Sequence, residues 1–166
     1  MSEVAMAILP IKQYPDFVLR QECAAVEEIL GAELALFEDM LATMHGAQGI
    51  GLAAPQVGVN RKIIVVDIGE GPLKLANPKI IKSNKTKEVM GEGCLSVPNT
   101  VVDVARPSEI IIVGLDEKGK TVELKAKGLL ARVIMHEIDH INGRLIVDYM
   151  NFFKKIDYKL KSRKKT

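Results

Sequence analysis

Histidine and cysteine are scarce in this chain, 3 and 2 residues respectively out of 166. Two cysteines are too few for a disulfide framework. The opening MSEVAMAILPIKQYPD carries an early acid and a proline where an export signal has a basic and then an apolar region, so a cytoplasmic protein is expected. No apolar run nears the roughly 18 residues of a membrane span, and no repeat or low-complexity tract is present, which excludes solenoid and linker architectures. The net charge is only +2, and nothing in the composition calls for a membrane or for a specific nucleic-acid sequence. A local excess does stand out: between positions 154 and 165 seven Lys or Arg face one acid, Asp157. Residues 1–166 have the length of a single domain with a closed core.

Against that scarcity, two of the three histidines fall four residues apart in HEIDH, His136 and His140. The surrounding GLLARVIMHEIDHING places Leu129, Leu130, Val133, Ile134 and Ile141 at close to a 3.6 period and stops at Asn142-Gly143, which predicts a helix. On a helix this spacing puts both imidazoles on one face within reach of a single ion, with Glu137 beside them to take a proton from water. The apolar flanks imply a packed interior, where unpaired rings would be costly.

Two imidazoles leave a metal short of ligands. Downstream of His140 there are no histidines, and the acids Asp148 and Asp157 are poorly placed. Upstream lies EGCLSVP, where Cys94 follows Gly93; a thiolate is a good ligand for iron(II) or zinc, and glycine lets backbone pass close to an ion. Cys94 is therefore the expected third ligand, although a free cysteine is as a rule a small buried hydrophobe, the reading kept for Cys23. A third segment, GIGLAAPQVG from Gly49 to Gly58, has the glycines of a loop or edge strand that another backbone or a ligand can approach. Its one polar side chain, Gln56, is either a solvated turn residue or a donor to a developing oxyanion.

In this order and at these separations, GIGLAAPQVG, EGCLSVP and HEIDH resemble the three signature motifs of the peptide deformylase family, and the earlier YPDFVLR is similar to that family's opening segment. The resemblance implies Cys94, His136 and His140 as ligands of one metal ion, Glu137 as acid/base, and Gln56 with the Leu95 N–H as oxyanion donors. Ile50, Gly51, Val133 and Gly93 become candidates for the substrate-binding walls. The substrate implied is the N-formyl group on the first methionine of nascent chains, and the metal iron(II), with nickel, cobalt or zinc as substitutes. Glu92 and Arg106 would brace the metal loop as an ion pair. Three positions depart from the family's common pattern: Phe17, Val101 and Arg132. The basic C-terminal residues, about 154–166, are either a solvated tail or a weak contact to ribosomal RNA near the tunnel exit. Two other functions fit parts of the pattern: an H-E-x-x-H metallopeptidase and a non-catalytic metal-binding relative.

The fold expected is α+β, with mixed, mostly antiparallel sheets around the HEIDH helix and further helices near each terminus. An N-terminal helix is predicted at 32–44 and strands at 62–68, around Leu75, and at 100–105, 109–115 and 121–127. Glu117-Lys118-Gly119 reads as a hairpin turn, and a C-terminal helix should start near Tyr149.

Overall fold

A computed structural model describes residues 5–164; MSEV at the start and Lys165 and Thr166 of the basic segment lie outside the described residues. Helix α1 spans Gly31–Gly46 and buries Phe37, Met40, Leu41 and Met44, which fall on one face. It begins where Leu30 donates its N–H to Glu33 Oε2 at 3.0 Å, relieving one of the unpaired donors of a helix start.

Seven strands follow: β1 (Gly51–Ala53), β2 (Ile63–Val66), β3 (Leu73–Ser83), β4 (Lys87–Cys94), β5 (Val97–Pro107), β6 (Glu109–Leu115) and β7 (Thr121–Lys127). Five pair antiparallel in the order β1-β2-β3-β6-β7, while β4 and β5 form a separate hairpin. Helix α2, Gly128–Ile141, carries HEIDH, and α3, Phe152–Arg163, ends the described chain.

Strand β2 shows how the layers are built. Its four residues IIVV are all buried, and because successive side chains point to opposite faces they feed two cores. Ile64 and Val66 pack with Ile134, Ile138 and Ile141 of α2, whereas Ile63 and Val65 pack with Phe37, Met40 and Met44 of α1. The larger sheet thus lies between the two helices. A third core, with Leu19, Val97, Val104, Leu145 and Val147, joins the hairpin to the segment after α2.

Several boundaries differ from expectation. Strand β4 was not expected, because Val89 and Met90 are exposed and glycines interrupt the pattern at 91 and 93, leaving no alternation to detect. It exists by pairing with β5, which runs longer at both ends than the predicted 100–105. Strand β3 extends over 11 residues instead of the few around Leu75. The β6–β7 turn falls where predicted, with Gly119 at φ 74° supplying the left-handed residue. Helix α3 starts three residues beyond Tyr149, at an Asn151 side chain that accepts the Lys154 N–H at 2.9 Å. The basic segment is thus helical through Arg163 and is not an open tail over its described length.

Candidate metal centre

The hairpin brings Cys94 to the ligand helix. Glu92 pairs with Val102 and Cys94 with Val97, and the register slips between them at Gly93. A bulge of this kind re-aims side chains. The Cys94 sulfur lies 3.3 Å from His140 Nε2, which in turn lies 3.2 Å from His136 Nε2. All three donor atoms fall within 4.8 Å of one another. Tetrahedral donors at the usual Zn–N and Zn–S distances stand about 3.3–3.6 Å apart, so this triad has the spacing of ligands to one ion. Among the described residues, the buried Glu137 Oε2 and His140 Nδ1 lack a hydrogen-bond partner, and both belong to the same cluster. Buried polar groups are rarely left so, and the donor set fits a divalent cation.

His136 is oriented from behind. Its Nδ1 lies 3.0 Å from Glu92 Oε1, which leaves Nε2 for the ion. Glu92 is buried and receives Arg106 through two parallel bonds, Nε at 2.7 Å and a terminal nitrogen at 2.8 Å. Burial pushes the Glu92 carboxyl upward, but the bonds from Arg106 and His136 outweigh this and hold it at about 2. The expected brace between Glu92 and Arg106 is therefore present, and it is larger than expected. Arg132 also donates to Glu92 Oε2 at 2.7 Å and to the carbonyls of Val104 and Glu88, pinning α2 to both strands of the hairpin. The departure at 132 is thus a buried cation matched to a buried carboxylate. Asp139, inside HEIDH itself, accepts from Arg106 at 3.0 Å and from the Tyr149 hydroxyl at 2.7 Å.

The groups of the cluster differ in how readily they carry a proton. Burial opposes protonation of His136, yet the adjoining Cys94 sulfur and Glu92 carboxylate raise it to about 10. His140, buried beside His136, is pushed well below the ordinary imidazole value. Burial lifts Glu137 to about 7 despite the nearby His136 charge, so its carboxyl is poised to exchange a proton near neutrality.

A cavity of about 570 Å³ opens onto the cluster, lined among others by Ile50, Gly51, Gln56, Gly93, Leu95 and Val133. Every site residue read from the sequence, save the buried His140, lies on its wall. Gln56 is buried, not solvated; its Oε1 accepts the Ala53 N–H at 2.9 Å and its amide donates to Ser96 Oγ at 3.1 Å, with the Cys94 sulfur 3.7 Å away. Gly51 is required by contact: a Cβ there would meet Glu137 Oε1, and Val133 Cγ1 at 2.7 Å. Val101 is 73% exposed with its Cγ1 against Gly91, and Phe17 is 74% exposed, both outside the cavity wall. Sequence reasoning missed Ser96 and Asp139. The Asp in HEIDH was the only signal for the second, and the first sat unremarked in EGCLSVP.

A mixed α+β chain whose HExxH helix meets a cysteine from a hairpin defines a class of mononuclear metal hydrolase. The polypeptide deformylase family model matches residues 8–155. The peptide deformylase of Clostridium botulinum is 48% identical over 143 residues, covering 86% of this chain and 97% of its own. That of Halothermothrix orenii is 48% identical over 145 residues, covering 86% and 94%. Among solved structures, peptide deformylase from Ehrlichia chaffeensis in complex with actinonin superposes with a TM-score of 0.92 at 38% identity, covering 97% of this chain and 100% of that one. The Synechococcus elongatus enzyme, also with actinonin, gives 0.87 at 42% identity, covering 97% and 88%. The chain belongs to the polypeptide deformylase family and is an enzyme of that family.

Proposed function

We propose that this chain hydrolyses the formamide at the N-terminal formylmethionine of nascent polypeptides, releasing formate and a free amine. The observation that carries the reading is the convergence of Cys94, His136 and His140 beside the buried Glu137, with Cys94, His136 and Glu137 on the wall of a cavity of about 570 Å³.

Cys94, His136 and His140 would hold the ion. Bound there, a divalent cation supplies Lewis acidity and an acidified water. The residues do the rest. Glu137, buried next to the ligand His136 and on the cavity wall, accepts the proton of the attacking water and returns it to the departing amine. The Gln56 amide and the Leu95 N–H, at the turn after Cys94, stabilise the developing oxyanion; one such donor contributes about 3–4 kcal/mol. Ile50 and Val133 flank the methionine side chain, while Gly51 and Gly93 let the substrate backbone come close. Glu92 keeps His136 in the tautomer that presents Nε2.

Iron(II) is the proposed ion, with nickel, cobalt or zinc as substitutes. The thiolate places negative charge on the centre and lowers its Lewis acidity, so the identity of the metal should alter the rate. Ferrous–thiolate chemistry also makes the enzyme oxygen-sensitive. Neither competing function gains support: among the described residues the ligand group contains no downstream acid and no fourth protein donor, and the remaining histidine, His45, pairs with Asp67 at 3.0 Å. The proposed setting is the cytoplasm, with a weak, salt-sensitive contact between the basic α3 and ribosomal RNA. The test is anaerobic formate release from formyl-Met-Ala-Ser by iron-loaded protein. Glu137→Ala should abolish it, and equal rates in the variant would remove Glu137 from the reaction.

A further inference from the structure

Gln56 has almost no freedom where it meets the catalytic cavity. Its side chain is buried, and Oε1 accepts the Ala53 N–H at 2.9 Å, which settles which end of the carboxamide is oxygen. The nitrogen at the other end has two protons and two neighbours: Ser96 Oγ at 3.1 Å and, through a longer contact of 3.7 Å, the Cys94 sulfur. Gln56 and Cys94 both lie on the cavity wall, whereas Ser96 is wholly buried and does not. One N–H is thus drawn to a neutral oxygen behind the wall, and the other is left on the side of Cys94, towards the cavity.

The place of Ser96 is set by partners remote in sequence. With Leu95 it forms the link between Cys94 of β4 and Val97 of β5, so the hairpin that delivers the sulfur delivers this hydroxyl as well. The segment 12–14 then ties the link to Gln56. The Lys12 N–H donates to the Gln56 carbonyl at 2.7 Å, and the Tyr14 N–H donates to the Ser96 carbonyl at 2.8 Å. Burying a hydroxyl is unfavourable unless it is hydrogen-bonded, and among the described residues the Gln56 amide is the group bonded to this one.

We infer that Ser96 is a positioning residue for the reaction: its hydroxyl holds one N–H of Gln56 so that the other is aimed at the developing oxyanion. The inference rests on the deformylase reading, in which Gln56 and the Leu95 N–H are the oxyanion donors. Preorganised donors stabilise a transition state because nothing has to turn when charge develops. Ser96 lies outside the cavity, so its effect passes through Gln56. The contact given up on the sulfur side is long, so little is lost when that N–H turns to a charged oxygen, a stronger acceptor. Leu95 is the chain neighbour of Ser96, and a single side-chain bond therefore couples the two halves of the oxyanion site.

The test is a double-mutant cycle on iron-loaded protein with formyl-Met-Ala-Ser, comparing wild type, Ser96→Ala, Gln56→Leu and the double variant. Gln56→Leu keeps bulk but removes the donor and should lower kcat about 10²–10³-fold. Ser96→Ala keeps the donor but loosens it; kcat should fall about tenfold, less than the 10²-fold typical of a 1 Å misplacement, with KM within about twofold. In the Gln56→Leu background the same substitution should change kcat by less than about twofold, because the group it acts through is gone. A side chain needed only for packing would lower kcat alike in both backgrounds. A second readout needs no turnover. In proton–nitrogen correlation spectra of zinc-loaded protein, the Gln56 side-chain amide, identified by its loss in Gln56→Leu, should show one proton shifted upfield and exchanging faster in Ser96→Ala. A loss of kcat that persists without Gln56, a loss confined to KM, or amide resonances unchanged by Ser96→Ala would overturn the inference. Absent turnover by wild type would instead sink the deformylase reading, and the amide resonances would still report whether Ser96 holds Gln56.

Discussion

Gly51→Ala adds one methyl group to strand β1 at a point where the packing has no room for it. The residue's φ is outside the left-handed region, so alanine is conformationally acceptable and the effect must come from contact alone. The new Cβ would meet Glu137 Oε1, Glu137 Cδ at 3.0 Å and Val133 Cγ1 at 2.7 Å, against an optimum of about 3.5–4.0 Å between carbons. Glu137 and Val133 are both buried and open only onto the catalytic cavity, so relief of the contact means moving a side chain into that cavity and the carboxyl away from its place. Overpacking of this size typically costs about 1–3 kcal/mol, or a fall in Tm of roughly 2–12 °C for a chain of this length. Displacing a reacting carboxyl by about 1 Å costs on the order of 10²-fold in rate. The expected outcome is therefore a folded enzyme with modestly lower Tm and kcat reduced about a hundredfold, read by formate release and differential scanning calorimetry on the same preparation. Activity within twofold of wild type would show that the carboxyl tolerates movement, and the argument that Gly51 sets its position would fail.

Other substitutions probe the surrounding network. Glu92→Leu leaves the buried Arg132 without a carboxylate and Arg106 with Asp139 alone, a loss of about 3–5 kcal/mol; urea denaturation should show this, and a variant as stable as wild type would refute the brace. Chelation should abolish formate release and ferrous ion restore it, whereas Cys94→Ser should bind cobalt more weakly and lose the near-ultraviolet thiolate-to-cobalt absorption. Burial opposes ionisation of Asp148, but the Arg20 guanidinium and the Leu145 N–H hold its carboxyl below the usual value. Its contribution is present above the unfolded-state pKa of about 3.9 and fades as pH falls through the lower folded value. Asp148→Asn should accordingly be less stable than wild type at neutral pH, and that deficit should shrink towards pH 3; a deficit independent of pH would contradict the ion pair.

The parts legible in the sequence were those whose geometry is local. The HEIDH helix follows from its period, β6 and β7 from alternation about a glycine turn, and α1 from its apolar face. Strand β4 was illegible because its order comes from β5 and from charges on α2, partners remote in sequence. The same remoteness hid the role of Arg132. On a helix of apolar period it read as a departure, and only the position of Glu92, with |i−j| of 40, explains a buried guanidinium there. Gln56 could be read either way until its burial was known. Ser96 and Asp139 carried no signal beyond their own polarity.

Two imidazoles come ready-made with one helix, but the sulfur arrives from a hairpin, with |i−j| of 46 to His140. A chain that has formed α2 and not yet docked that hairpin can offer an ion only a bidentate grip. Full retention is thereby linked to completed tertiary structure, so a lesion anywhere along the β4–β5 interface should show itself first as leakage of metal, before any loss of secondary structure.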